Sequence, residues 1–220
     1  MTAIAATGPT AYWYLTRGSG AITLILLTLT VALGIANVER VRTGALPRFA
    51  LQSLHRSVSL LAVAFLFVHV ATSVLDGFVS IRWIDAIVPF GAAYRPLWLG
   101  LGAVACDLVI AVVVTSLLRR RLGYRAWRAT HWLAYASWPV AVLHTVGTGS
   151  DAGKTWMVAI LIGCAIVMGV AVIVRLADAF RGTPAPSPSP ARYEHRPQSG
   201  RSERIAHGHV PVSERQTAPV

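Results

Sequence analysis

Four histidines lie inside apolar stretches of this chain and form two pairs, His55 with His69 and His131 with His144. An ionisable side chain in lipid is costly, so it usually faces the interior of a helix bundle and has a partner there. Histidine is also a common axial ligand of haem iron. Four histidines at nearly matched depths indicate a common ligand, and haem is the ligand that fits.

The composition is typical of a polytopic membrane protein. Of 220 residues, 55% are hydrophobic and only 13% are charged, and the mean hydropathy is +0.57. This is too apolar for an ordinary soluble domain. The net charge of +11 comes mostly from arginines at predicted helix ends and near the C-terminus. Lipid head groups and topology explain that charge better than a nucleic acid partner does.

Two cysteines, Cys106 and Cys164, fall inside apolar runs and form no CxxCH pattern. Covalent c-type attachment is therefore not supported, and any haem would be b-type, held by coordination and packing.

Five apolar runs are long enough to cross about 30 Å of hydrocarbon, which takes about 20 helical residues. They lie at 18–37, 52–75, 97–118, 127–148 and 155–177. The sequence therefore predicts an all-α, five-helix transmembrane bundle over 12–181, after an external N-terminus at 1–11. The first run has no signal-peptide features and is expected to be retained. Residues 182–220 are rich in Pro, Ser and Arg, which predicts a disordered cytoplasmic tail.

The orientation follows from the arginines, because short cytoplasmic loops carry an excess of Lys and Arg. Arginines concentrate in the first and third loops and after the last run, whereas the second and fourth loops balance basic against acidic residues. The arginines concerned are Arg40, Arg42, Arg48, Arg119, Arg120, Arg121, Arg125, Arg128, Arg175 and Arg181. The N-terminus is thus predicted outside and the C-terminus inside.

The spacing of the histidines places them at two levels. His55 and His69 are 14 residues apart, about 21 Å along a helix and within about 40° of one face. His131 and His144 are 13 residues apart, and an ideal helix would leave those two rings about 140° apart. Pro139 lies between them, and a kink there would bring both rings to one side. The prediction is two bis-histidine sites, an inner one at His55 and His131 and an outer one at His69 and His144.

Several other polar residues are candidates for supporting such sites. Arg56 and Arg128 lie beside the inner histidines and Arg17 lies near the outer end of the first run, where each could neutralise haem propionates. Positive-inside anchoring is the plainer explanation for Arg56 and Arg128. Asp107, near mid-membrane, is a candidate proton relay, a hydrogen-bond partner for a histidine ligand, or a structural contact between helices. An amphipathic piece at 81–88 is either an interfacial loop or a lid over an outer cofactor.

The histidine segments HRSVSLLAVAFLFVH and HWLAYASWPVAVLH resemble the haem-binding helices of the ferric reductase-like transmembrane domain, the family of ferric reductases and the membrane part of NADPH oxidases. RGSGAITLILLTLTVALG and TSLLRRRLGYRAWRATHW add to the likeness, which covers about 12–178. The resemblance implies two stacked b haems that pass single electrons across the membrane. Larger relatives continue into flavin- and nicotinamide-binding domains, whereas no Gly-rich phosphate loop follows a strand here.

The expected function is therefore transmembrane electron transfer through two haems, in a cell membrane such as a bacterial inner membrane or plasma membrane. The donor would be a separate flavoprotein reductase or a quinol, and the acceptor would lie outside; no nucleic acid is expected. Two alternatives stay open at this point. One is a haemless scaffold or a transporter of protons or divalent metal, and the other is a quinol-oxidising haem anchor for an external oxidoreductase.

Overall fold

The computed structural model of the chain describes residues 10–43, 48–77 and 79–180, without the side chains of 39–43, 48 and 178. Within these ranges the secondary structure is helical and contains no strand. The α-helices are α1 (Ala11–Thr43), α2 (Arg48–Leu75), α3 (Pro96–Leu117), α4 (Arg119–His131), α5 (Leu133–Thr148) and α6 (Thr155–Phe180). One 3₁₀-helix, Trp83–Ala86, lies in the connection between α2 and α3. The predicted tail at 182–220 lies outside the described residues.

Four of the helices are long and apolar enough to cross a bilayer. The stretches concerned are Ala11–Val38, Phe49–Leu75, Pro96–Leu117 and Thr155–Ala177. Large apolar side chains on these helices face outward; Ile166 and Ile173 of α6, for example, are 60% and 66% exposed. Apolar surface of this extent is stable against lipid but not against water. The protein is therefore a multi-pass membrane protein.

The remaining predicted span, 127–148, is not one helix in the structure. α4 ends at His131, Trp132 forms a turn, and α5 has only 16 residues. The sequence explains the division, because the α4 sequence RRRLGYRAWRATH is too polar to enter hydrocarbon, whereas the α5 sequence is apolar. The boundary between α4 and α5 lies at Trp132, where φ of −63° and ψ of −22° are still helical. The backbone break is at Gly123 inside α4, where φ is 76° and ψ is 162°, and Pro139 lies inside α5. A fifth crossing stays a prediction.

The helices form two pairs that position the histidines. α1 packs along α2, and α3 packs along α5, with α6 against α1. Hydrogen bonds join the start of α1 to the end of α2 and the end of α1 to the start of α2, so the first pair is antiparallel. In the second pair, Trp98 near the start of α3 contacts His144 near the end of α5. Each pair therefore presents a histidine-bearing helix beside a helix that lacks histidine.

The two pairs meet around the middle of the bundle. The indole Nε1–H of Trp138 on α5 donates a hydrogen bond of 2.9 Å to Oγ1 of Thr28 on α1, which is only 2% exposed. Next to this contact, Val31, Ile35 and Met168 form a buried apolar cluster that joins α1 to α6. This contact and this cluster fix the two histidine-bearing helices relative to each other.

Candidate functional site

The structure brings together the histidines that the sequence paired. The ring centres of His69 and His144 are 6.4 Å apart, with the ring planes at 80°. The rings of His55 and His131 are close enough to interact electrostatically. In each histidine pair, one ring comes from α2 and the other from α4 or α5. Each histidine pair therefore connects the two helix pairs.

Three of the four imidazoles donate a hydrogen bond to a backbone carbonyl on the neighbouring helix. Nδ1 lies 3.0 Å from the oxygen of Thr30 for His55, 2.9 Å from that of Thr16 for His69, and 2.8 Å from that of Trp98 for His144. Thr16 and Thr30 are on α1, and Trp98 is on α3. A carbonyl oxygen only accepts, so Nδ1 must carry the proton and Nε2 keeps its lone pair. Each of these rings is therefore fixed in the tautomer that can bind a metal through Nε2.

A glycine follows each of those acceptor residues four positions later and leaves room for the ring. A Cβ on Gly20 would lie 2.9 Å from two atoms of the His69 ring, and one on Gly102 would lie 2.5 Å from Cε1 of His144. At Gly34 the nearest atom would be Cε1 of His55, at 3.5 Å. Glycine is therefore required at Gly20 and Gly102, beside the two outer histidines. Gly34 leaves free space between α1 and the ring of His55.

His131 differs from the other three histidines. It is the last residue of α4, and its Nδ1 is buried without a hydrogen-bond partner in the described part of the chain. Its ring packs on the indole of Trp127, with centres 5.1 Å apart and planes at 33°. The inner pair thus has one ring held by a carbonyl and one held by an aromatic neighbour.

A cavity of about 330 Å³ lies around the outer pair. His69 and His144 line it together with Gly20, Gly102 and apolar side chains of α1, α2, α3 and α5. Imidazole nitrogens bind transition metals at about 2 Å, so two rings on opposite sides of one metal have centres about 6 Å apart. The observed 6.4 Å agrees with this value. Because the Nδ1 atoms are already bonded, the donor set and the cavity fit an iron porphyrin.

The predicted arginines have different surroundings. Arg17 lines the outer cavity, forms an ion pair with Asp151, and its guanidinium lies 3.7 Å from the ring centre of Trp13. Arg56 and Arg128 are exposed and lie beside the inner histidines, one residue after His55 and three before His131. Arg17 is therefore the one of the three that the structure places at a cavity containing histidines.

Asp107 on α3 is half-buried and has no hydrogen bond to a histidine among the residues described. Backbone carbonyls serve three of the histidines instead, and sequence reasoning missed them. The sequence carried a signal, since Thr16 and Gly20 recur as Thr30 and Gly34 after 14 residues, the same interval that separates His55 from His69.

The 3₁₀-helix forms part of the wall of the outer cavity. Ile81, Asp85 and Ala86 line the cavity, and the Asp85 carboxylate is 4% exposed. It accepts hydrogen bonds of 2.9 Å from the backbone N–H and from Nη2 of Arg82. The segment predicted as an interfacial loop or a lid thus lies against the cavity.

This segment should lose its order in acid. The side-chain and backbone hydrogen bonds from Arg82 lower the pKa of Asp85. A lowered folded-state pKa stabilises the segment above the unfolded pKa, about 3.9, and this stabilisation is lost as the pH falls through the folded value. We expect amide exchange of 82–88, corrected for intrinsic rates, to be slow at neutral pH and to accelerate below about pH 4. Asp85→Asn should remove this pH dependence. Amide exchange of 82–88 that stays slow at pH 2 in the unaltered protein would refute the prediction.

Paired histidines between the helices of a membrane protein define a class of helical membrane proteins suited to holding redox-active metal centres. The family model of the ferric reductase like transmembrane component matches residues 19–147, more than half of the chain and a range that includes all four histidines. The chain belongs to this family, which indicates transmembrane electron transfer. Comparisons with curated proteins and with solved structures gave no match.

Proposed function

We propose that this protein is a two-haem, b-type electron-transfer subunit that passes single electrons between the two faces of a cell membrane. The observation that carries the proposal is the pair of histidine levels, in which three of four rings have Nδ1 bonded to a carbonyl and Nε2 left for a metal. Membership of the ferric reductase family supports the same function.

In this proposal His69 and His144 hold the outer haem, and His55 and His131 hold the inner one. A bound haem supplies one-electron oxidation and reduction. The carbonyls of Thr16, Thr30 and Trp98 orient the imidazoles and make them stronger electron donors. With two histidines at each level, a bound haem would have no open ligand position and would be suited to outer-sphere electron transfer.

Arginines balance charge at the two levels. We assign the outer propionates to Arg17, whose pairing with Asp151 and stacking on Trp13 hold its guanidinium at the cavity. Arg56 and Arg128 have the corresponding role at the inner level, since each lies within one turn of an inner histidine. Apolar side chains of α1, α2, α3 and α5 make up most of the wall around the outer pair, and such surroundings strengthen the donor hydrogen bonds.

The topology in this proposal is the predicted one. Five crossings put the N-terminus outside and the C-terminus in the cytoplasm, and the arginine-rich loops face the cytoplasm. The donor is a separate flavoprotein reductase or quinol, and the acceptor is outside. Apolar α1, α2, α3 and α6 support four of these five crossings.

The test is the absorbance of the full chain purified in detergent from cells supplied with haem. We expect a reduced-minus-oxidised b-type spectrum with about two haems per chain, both low-spin because each iron has two imidazoles. A colourless preparation that is folded by circular dichroism would overturn the proposal and favour a haemless scaffold or transporter. Reduction of the haem by a quinol or by a flavin reductase then identifies the donor class.

A further inference from the structure

The outer and inner histidine pairs are supported unequally. Both outer imidazoles donate to a carbonyl, from Thr16 and from Trp98. At the inner level only His55 does so, while Nδ1 of His131 is buried without a partner among the described residues. The two levels differ on the side of α3, because α1 provides a carbonyl acceptor and a glycine at both levels.

The sequence of α3 shows where a carbonyl acceptor and a glycine for His131 would be expected. On α1 a step of 14 residues leads from Thr16 and Gly20 to Thr30 and Gly34, within about 40° of the same helix face. The same step on α3 leads from Trp98 and Gly102 to Val112 and Ser116. The inner end of α3 therefore has a serine where the other three positions have glycine.

The polar side chains at this end of α3 bond to their own helix or to Trp127. The Thr115 hydroxyl donates to the Val112 carbonyl at 3.2 Å and to that of Ala111 at 2.7 Å. Nε1 of Trp127 lies 3.4 Å from Oγ of Ser116, so this indole lies against α3. The Trp127 ring also packs on His131. His131 thus rests on an aromatic ring and does not reach the backbone of α3.

Two consequences follow for His131 as a ligand. Without a hydrogen bond at Nδ1 its Nε2 is a weaker electron donor, and among the described residues its ring is held by packing on Trp127 and not by a carbonyl. Of the four histidines, it is the one that a competing ligand would displace most easily.

We propose that His131 is an exchangeable ligand, so that the inner haem site binds small neutral ligands of ferrous iron while the outer site stays closed. The inference rests on the proposed function, since it requires both haems. In the exchange the bond from Nε2 of His131 to iron breaks and a bond from the incoming ligand forms, with no change of oxidation state. Trp127 acts as a positioning residue for His131.

The experiment is a titration of the dithionite-reduced full chain with carbon monoxide, followed by absorbance. We expect about half of the haem to bind carbon monoxide in the unaltered protein, because only one of the two irons has an unanchored ligand. In His69→Ala, which the proposed function leaves with the inner haem alone, all remaining haem should bind it. Binding by neither haem, or by both at the same rate, would overturn the inference.

Variants of Trp127 test its positioning role. Trp127→Ala should speed carbon monoxide binding about tenfold, the range found when an outer partner of a metal ligand is lost. Trp127→Phe keeps the ring contact and should bind at the original rate, as should the control Trp156→Ala at the other end of the bundle. Equal rates in Trp127→Ala and the unaltered protein would refute the role of Trp127. If Trp127→Ala does not fold, the titration of the unaltered protein still decides the inference.

A preparation with no haem would instead contradict the proposed function. A protein with two low-spin haems that are both inert to carbon monoxide would keep the proposed function and reject the exchangeable ligand.

Discussion

Replacing His144 with alanine should remove the outer haem and leave the inner one, so that haem content falls from about two to about one per chain. The reason is that His144 and His69 are the two imidazoles at the outer cavity, so the variant leaves a single imidazole there. Haem content from the pyridine adduct and low-spin signals in electron paramagnetic resonance would measure the loss. His69→Ala should give the same result.

Two comparisons make this prediction specific. His55→Ala should remove the inner haem and preserve the outer one, which gives the converse spectrum. His195→Ala, in the predicted tail, changes a histidine outside the membrane region and should retain both haems. Survival of both haems in His69→Ala or His144→Ala would reject the ligand assignment.

The second large effect is expected from adding a single methyl group opposite a histidine. A Cβ on Gly102 would lie 2.5 Å from Cε1 and 2.6 Å from Nδ1 of His144, so the ring must move and its bond to the Trp98 carbonyl must lengthen. Gly102→Ala should therefore weaken outer haem binding by about 10- to 100-fold, the usual effect of losing an outer partner of a metal ligand. Gly20→Ala should act in the same way on His69. Haem transfer to an apo-globin acceptor would measure the change.

The matched control for these variants is Gly18→Ala. Gly18 lies on α1 only two residues from Gly20, but a Cβ there would meet nothing within 4 Å. Because alanine also favours a helix over glycine, Gly18→Ala should keep both haems and leave the thermal stability unchanged or slightly higher. Equal haem retention in Gly18→Ala and Gly20→Ala would show that the space beside His69 is not needed.

The sequence was sufficient to predict the apolar helices and the pairing of the histidines. Continuous apolar runs reveal membrane helices because each backbone group must be satisfied within the segment. The 14-residue interval between His55 and His69 places both on one face of a continuous helix. These inferences use only helix geometry, and the structure confirms the helical membrane architecture.

The carbonyl acceptors could not be predicted from residue types. Every residue has the same backbone carbonyl, whatever its side chain. The choice of Thr16, Thr30 and Trp98 as acceptors depends on how closely two helices approach each other. Glycine four positions later is what permits that approach, but glycines also occur on α6 with nothing nearby. Asp107 was a more conspicuous candidate, yet its side chain makes no contact with a histidine in the residues described.

The position of the backbone break before His131 was also beyond the sequence analysis. The ideal-helix angle of about 140° between His131 and His144 indicated that one continuous helix was unsuitable. Pro139 was the obvious place for an interruption because proline lacks an N–H. The structure instead breaks the backbone at Gly123, inside the arginine-rich sequence, and leaves Trp132 helical.

That break has a consequence for how the chain can change over evolutionary time. His55 and His69 share one uninterrupted helix, so an inserted or deleted residue between them would rotate one ring by about 100° and destroy one site. At Gly123, by contrast, φ is 76° and ψ is 162°, so the arginine-rich residues before it can vary in length without rotating His131 or His144. In the topology proposed above this segment faces the cytoplasm, and it can adapt to different reductants while both histidine levels keep their geometry.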